Sequence, residues 1–320
     1  MGNSEPVFPV SAPRRAEAYA PGSIGNVGPG LDILGLAVTG AGDTVVAEWI
    51  EGGHIVVIDP GHPELPTDPA RHASALAATA VLRRIGQPSA GIGLRLRKGL
   101  PLAGGQGGSA ASAVAGAGAV NALFGSPLTP MELIEVGLEA ESVVAGRHAD
   151  NVAPSVLGGL VLIRSMDPLE VVRLPVPEAL YIVLAHPHME LRTAEARAAL
   201  PAQVPMATVL HQAAQVAALV AGAVTGDLRL MGRALDDRLA EPARTPLLPG
   251  FAAAKAAALR AGALGCSISG SGPTAFALAE DRATAERIAD AMAAAYAAHG
   301  LASDRRIAQP DLHGLRVSTA

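Results

Sequence analysis

PLAGGQGGSAASAVAG, residues 101–116, is the stretch on which the reading of this chain turns. Four glycines crowd into residues 104–108, and an alanine-rich run follows from Ser109. Glycine loses more chain entropy on folding than any other residue, so such a cluster marks a place where backbone comes close to something or takes positive φ. Upstream, Ile92, Leu94 and Leu96 alternate with Gly93, Arg95 and Arg97, the two-residue period of a half-buried strand. Downstream, Ser109 through Leu123 reads as a helix of Ala and Val. The glycines therefore occupy a strand-to-helix turn, where unpaired N–H groups and the partial positive charge of a helix start form a cradle for an anion.

Two phosphate-binding templates can be set against this loop. The G-K-[ST] loop fails, because no lysine lies between Lys98 and Lys255. Gly105-Gln106-Gly107-Gly108-Ser109-Ala110 satisfies G-x-G-x-x-A, but the acid that a dinucleotide ribose requires does not occur before Glu132. Close packing of a helix on a sheet is an equally good account of the glycines alone.

The bulk numbers narrow the partner. With 320 residues, half of them hydrophobic, the chain can bury two cores. No run of about 18 uninterrupted apolar residues occurs, so a membrane partner is not expected. Residues 1–17 carry Pro6, Pro9 and Pro13 without an apolar core and read as a frayed leader, which places the protein in the cytoplasm. A lone Cys266 gives neither a disulfide nor a metal signature. A net charge of −5 without a basic block argues against nucleic acid and for a small-molecule substrate.

Around the loop, TVVAEWI (44–50) and HIVVID (54–59) read as a hairpin, and residues 69–86 as a helix ending at Gly86. A further helix covers 131–146, followed by strands GGLVLIRS (158–165) and LYIVLAHP (180–187). Helices are then expected at 189–200, 206–225, 227–239, 250–262 and 281–299, with a strand pair framing Gly270 and a last strand at 312–318. Without a regular βαβ alternation this is an α+β chain, dividing near residue 165 into domains 1–165 and 166–320.

The loop is similar to the phosphate loop of the GHMP small-molecule kinases, and further segments fall in that family's order. APGSIGNVGPGLDILGLAV (20–38), ARAALP (196–201), EPARTPLLPG (241–250) and GCSISGSGPTAFAL (265–278) match it. GRHADNVAPSVLGGLVLI (146–163) resembles the homoserine kinases in particular. The resemblance implies a ribosomal-S5-domain-2-like N-terminal domain carrying the nucleotide and a ferredoxin-like C-terminal domain. It also implies ATP and Mg²⁺ as cofactors, phosphorylation of the L-homoserine hydroxyl on the way to threonine, and a homodimer.

Carried over residue by residue, it assigns Asn26, Asp32, His148, Asn151, Thr193, Arg197 and Arg244 to the substrate. Arg197 and Arg244 would take the carboxylate, a task for the guanidinium fork; Asn26 and Asp32 double as turn residues, and His148 is a positioner rather than a base. Glu141 and Ser109 would hold the metal, Glu139 lying on another helix face. The nucleotide would lie on His72 and on Pro101, Leu102, Ala103, Gly104, Gly105, Gln106, Gly107, Gly108, Ser109 and Ala110. Some relatives have an aspartate where this chain has Asn151; an amide takes no proton, so the resemblance implies direct attack by the hydroxyl, with Asn26, Asp32, Glu141 and Asn151 as the catalytic set. Four changes depart from the family: Gln106 stands for its usual Leu, Gly108 for a Ser, His72 for an Asn, and APGSIGN (20–26) for A-P-A-T-S-A-N. Arg192 and Arg164 read as solvated charges. The alternatives are a kinase of the same superfamily acting on another small alcohol, or a binding protein that has lost turnover.

Overall fold

The computed structural model describes residues 13–320. Most of the leader expected over residues 1–17 lies outside these; Arg15, Ala16 and Glu17 already belong to the first strand.

The first half of the chain runs β1 (Arg15–Gly25), β2 (Leu34–Trp49), β3 (Ile55–Asp59), α1 (Ala73–Arg84), β4 (Ile92–Arg97), α2 (Gly108–Leu123), α3 (Pro130–Val144), α4 (Ala149–Leu157), β5 (Leu160–Met166) and β6 (Leu169–Leu174). The second runs β7 (Tyr181–Pro187), α5 (Thr193–Ala198), α6 (Met206–Thr225), α7 (Leu228–Arg233), α8 (Ala240–Arg244), α9 (Phe251–Arg260), β8 (Gly265–Ile268), β9 (Ala275–Ala279), α10 (Arg282–Ala298), β10 (Ser303–Ala308) and β11 (Arg316–Thr319). One seven-stranded sheet has the order β11-β1-β2-β4-β3, with β5 and β6 continuing from the far end of β2; a four-stranded antiparallel sheet has the order β10-β7-β9-β8. The architecture is α+β. The division expected at residue 165 falls inside β5, whose hairpin with β6 carries the first sheet on to Leu174, and β11 returns the chain end to that sheet.

The expected hairpin of residues 44–59 is corrected. Both strands form, but β4 inserts between them: Ile92 faces Trp49 antiparallel on one side and Ile55 parallel on the other. Ile92, Leu94 and Leu96 are almost wholly buried, whereas β3 turns exposed at Ile58 and Asp59. The more apolar strand takes the central place and the half-polar one the edge. Residues 15–25 carried no strand signal because Ala has low β-propensity and Pro21 sits at a register shift against β2. Residues 149–157, for which the sequence pattern gave no helix, form α4 despite Pro154. The carbonyl that Pro154 frees, Asp150 O, instead meets the bare backbone of Gly35, where an added Cβ would stand 1.8 Å away.

Helix α2 is the central beam: every residue from Ala110 to Leu123 is buried. Its Ala and Gly side chains let neighbours come close, and a Cβ on Gly116 would lie 2.5 Å from Ser74 O of α1. By length and composition α6 could cross a membrane; here Leu219, Gly222 and Ala223 pack inward while Met206, Leu210 and Val224 are exposed.

Candidate active site

A cavity of about 680 Å³ opens where the loops of the two sheets meet, a size suited to a small-molecule ligand. The first half contributes the β1–β2 turn, the glycine loop, the end of α3 and the start of α4; the second contributes α5, α8 and the β8–β9 loop. All residues expected from the sequence line it except Gln106 and Ala110. Ala110, in the first turn of α2, is fully buried in the core, and the side chain of Gln106 turns away from the cavity. Both expectations are corrected for the side chains.

One end of the cavity is built of backbone. Gly107 caps α2 in the left-handed conformation, no side chain caps the first turn, and no acid occurs in it, so its amides carry the helix's positive end unopposed. Gly107 cannot be otherwise: φ is +68°, and a Cβ there would stand 2.2 Å from Ser23 Oγ. Behind the loop, Lys98 is buried against Asp43 at 2.5 Å and donates to Gly108 O at 2.8 Å. Asp43 also accepts from the amides of Gly99 and Leu100 and from Ser112 Oγ. This brace was not foreseen; its sequence signal is that Lys98 is one of only two lysines and stands beside the loop. His72 precedes α1 and is 2% exposed, with Nδ1 lacking a hydrogen-bond partner.

The other end is built of charged side chains. Arg197 donates twice to Asp32, each bond 2.7 Å, and its Nη2 lies 3.1 Å from His148 Nε2. Burial pulls the His148 pKa down, against the opposing charge of Asp32. Burial pushes the Asp32 carboxyl up, but the Arg197 bonds and the nearby positive charges outweigh it and hold the pKa below the ordinary range. Arg244 is buried and donates to Gly270 O at 2.8 Å and Ala196 O at 3.3 Å; burial, then the charge of Arg197, lowers its pKa. Arg192 borders the cavity but is exposed, in keeping with its reading as a solvated charge, and Arg164 pairs with Glu170 at the surface.

Asn26 holds the turn together. Its amide oxygen accepts from Asp32 N at 3.0 Å, its amide nitrogen donates to Gly270 O at 2.9 Å, and its own N–H donates to Asp150 Oδ2 at 3.0 Å. These bonds keep Asn26, Val27 and Asp32 at φ of +67°, +47° and +63°, a strained set for non-glycine residues. The turn and the tie to the β8–β9 loop together account for the side-chain hydrogen bonds of Asn26, which still borders the cavity.

Between the two ends lie two buried carboxyls. Glu141, on α3, accepts from Ser109 Oγ at 3.1 Å through Oε2, and its Oε1 has no partner. Burial, with Asp150 nearby, pushes its pKa up to about 7. Glu139 points elsewhere, to Arg83 and Arg84. Asp150, passed over in the sequence, is wholly buried at the start of α4 and likewise pushed up to about 7 by burial and by Asp32. Beside it, Asn151 accepts from Ser23 Oγ at 2.9 Å.

Two family models match the chain: the GHMP kinases N terminal domain over residues 72–159 and the GHMP kinases C terminal over 216–298. The chain is 44% identical to the homoserine kinase of Chlorobium phaeovibrioides over 95% of its length and 99% of that protein's. It is 44% identical to the homoserine kinase of Arabidopsis thaliana, over 91% of this chain and 80% of that one. The crystal structure of homoserine kinase from Cytophaga hutchinsonii superposes with a TM-score of 0.92 at 40% identity, covering 98% of this chain and all of the other. On this likeness, which spans nearly the whole chain and both cores, the protein belongs to the homoserine kinases of the GHMP kinase family.

Proposed function

We propose that the protein transfers the γ-phosphoryl group of ATP to the side-chain hydroxyl of L-homoserine, giving O-phospho-L-homoserine on the way to threonine. The carrying observation is that one cavity joins a glycine-built anion cradle to a cluster of two arginines and two aspartates. A zwitterionic amino alcohol needs such a cluster; a sugar or a plain carboxylate does not need all of it.

In this reading the amides at the start of α2 hold the phosphates, and His72, with its unpaired Nδ1, borders the base. Arg197 and Arg244 take the substrate carboxylate, with Thr193 beside them, while Asp32 and Asp150 take the ammonium. Asp32 and Arg197 neutralise each other before substrate arrives, so binding exchanges one ion pair for two rather than exposing bare charges. Asn151, fixed by Ser23, orients the hydroxyl for in-line attack. It cannot accept the proton, and the loose phosphoryl transition state asks for little deprotonation of the nucleophile.

The residues fit Mg²⁺: Glu141 presents a buried carboxylate oxygen with no partner, next to Ser109. An ion bound to phosphates needs only one or two protein oxygens. When bound, Mg²⁺ would neutralise charge developing on the phosphates. The reading places the enzyme in the cytoplasm, without membrane or nucleic-acid partners and as a homodimer, whose mass sedimentation velocity measures.

A coupled ADP-release assay tests the reaction: turnover with L-homoserine and none with mevalonate or galactose is expected. Turnover on another alcohol alone would assign a different substrate, and binding without turnover would make it a ligand-binding homologue.

A further inference from the structure

The side chain of Gln106 leaves the cavity for the second sheet. Its Oε1 accepts from Arg306 Nη2 at 2.7 Å, and its Nε2 donates to Thr274 Oγ1 at 3.2 Å. Arg306, on β10, donates through its other terminal nitrogen, Nη1, to Thr39 O at 2.9 Å, so both these acceptors are neutral oxygens.

The loop carbonyls are clamped on the same side. Gly104 O accepts from Thr274 Oγ1 at 2.6 Å, Gly105 O from Ser269 Oγ at 2.7 Å and Gln106 O from Ser23 N at 3.1 Å. In a trans peptide the N–H points opposite to the C=O it is bonded through. Clamping carbonyls 104, 105 and 106 therefore turns the amides of 105, 106 and 107 the other way. The clamps come from β1 and from the β8–β9 loop of the second sheet, and Arg306 is the charged member that ties Gln106 to them.

We propose that Arg306 is a positioning residue for the nucleotide: through Gln106 it fixes the peptides of the phosphate loop from behind and leaves a positive charge, uncancelled by its neutral acceptors, backing the anion site. A carboxylate at 106 would accept the same bond but place a negative charge beside the phosphates; the amide holds the arginine without cancelling it. Burial pulls the Arg306 pKa down, the mark of a cation kept where solvent does little to stabilise it.

The inference rests on the loop being the nucleotide site, and calorimetric titration of ATP, with steady-state kinetics for both substrates, separates the two claims. Arg306→Met and Gln106→Glu are expected to weaken ATP binding roughly tenfold while the homoserine KM stays within about twofold. Arg306→Lys, which keeps the charge and loses the fork, should recover part of the loss. Gln106→Leu combined with Arg306→Met should be no worse than Arg306→Met alone, because both remove one link. Should Arg306→Met misfold, Gln106→Glu and Arg306→Lys carry the same test in a chain that keeps its cation. A lower Tm with unchanged ATP affinity, or equal loss for both substrates, would overturn the positioning role. If Gly107→Ala also leaves ATP binding unchanged, the loop is not the nucleotide site and the broader reading fails with it.

Discussion

The phosphate end and the substrate end of the cavity are made of different material. At the first, the working groups are backbone amides held by glycines whose Cβ positions are already filled by neighbours, such as Gly107 against Ser23 Oγ. At the second, they are charged side chains from four separated segments, paired with each other before any ligand arrives, as Arg197 with Asp32. A backbone cradle is fixed by the fold and tolerates little change; a side-chain cluster is adjustable and sets specificity.

Variants can break this contrast, and the largest effect belongs to the carboxyl between the two ends. Glu141→Gln should cut kcat by roughly 10²-fold or more with little loss of fold, since it removes a buried charge that only Ser109 satisfies; single-turnover phosphoryl transfer reads this directly. Next, Gly107→Ala forces a left-handed alanine into a space occupied at 2.2 Å. It should weaken nucleotide binding at least about tenfold and lower Tm; a normal ATP titration would show that this loop does not hold the nucleotide. At the other end, Arg197→Met should raise the homoserine KM about tenfold and leave the ATP KM alone. Arg244→Ala should raise the same KM and also lower Tm, because its guanidinium ties Gly270 O to Ala196 O.

The smallest effect is on stability. The folded-state pKa of Asp150 is raised to about 7, so the folded chain binds more protons than the unfolded one between the ordinary carboxylate range and neutrality. Its contribution to stability is therefore lost as pH rises through that window. Asp150→Asn should flatten the fall of Tm over this range and stabilise the ligand-free protein by a few degrees above pH 7, while raising the homoserine KM. An unchanged Tm–pH profile would show that Asp150 is not the buried charge described.

The contrast also explains what the sequence could tell. The cradle is contiguous: the strand period before it and the small-residue helix after it mark a strand-to-helix turn able to hold an anion, and resemblance to a kinase loop then assigned it a nucleotide. The substrate cluster is not contiguous: Asp32, His148, Arg197 and Arg244 meet only through the fold, and resemblance alone assembled them. Local pattern failed where partners are non-local. The insertion of β4 between β2 and β3 depends on which strand is more apolar on both faces, and α4 survives Pro154 because Gly35 lets β2 approach the freed carbonyl. Lys98, Asp43, Asp150 and Arg306 escaped notice because an isolated charge in a sequence does not reveal that it is buried.

The central claim is that the amides of the glycine loop grip the triphosphate of the nucleotide. Hydrogen exchange of the full chain with and without a non-hydrolysable ATP analogue tests it residue by residue. The account predicts slowed exchange at residues 105–110 and at the Lys98 brace, with the α5 and α8 segments responding only when homoserine is added. Unchanged exchange across 105–110 alongside protection elsewhere in the chain would contradict it.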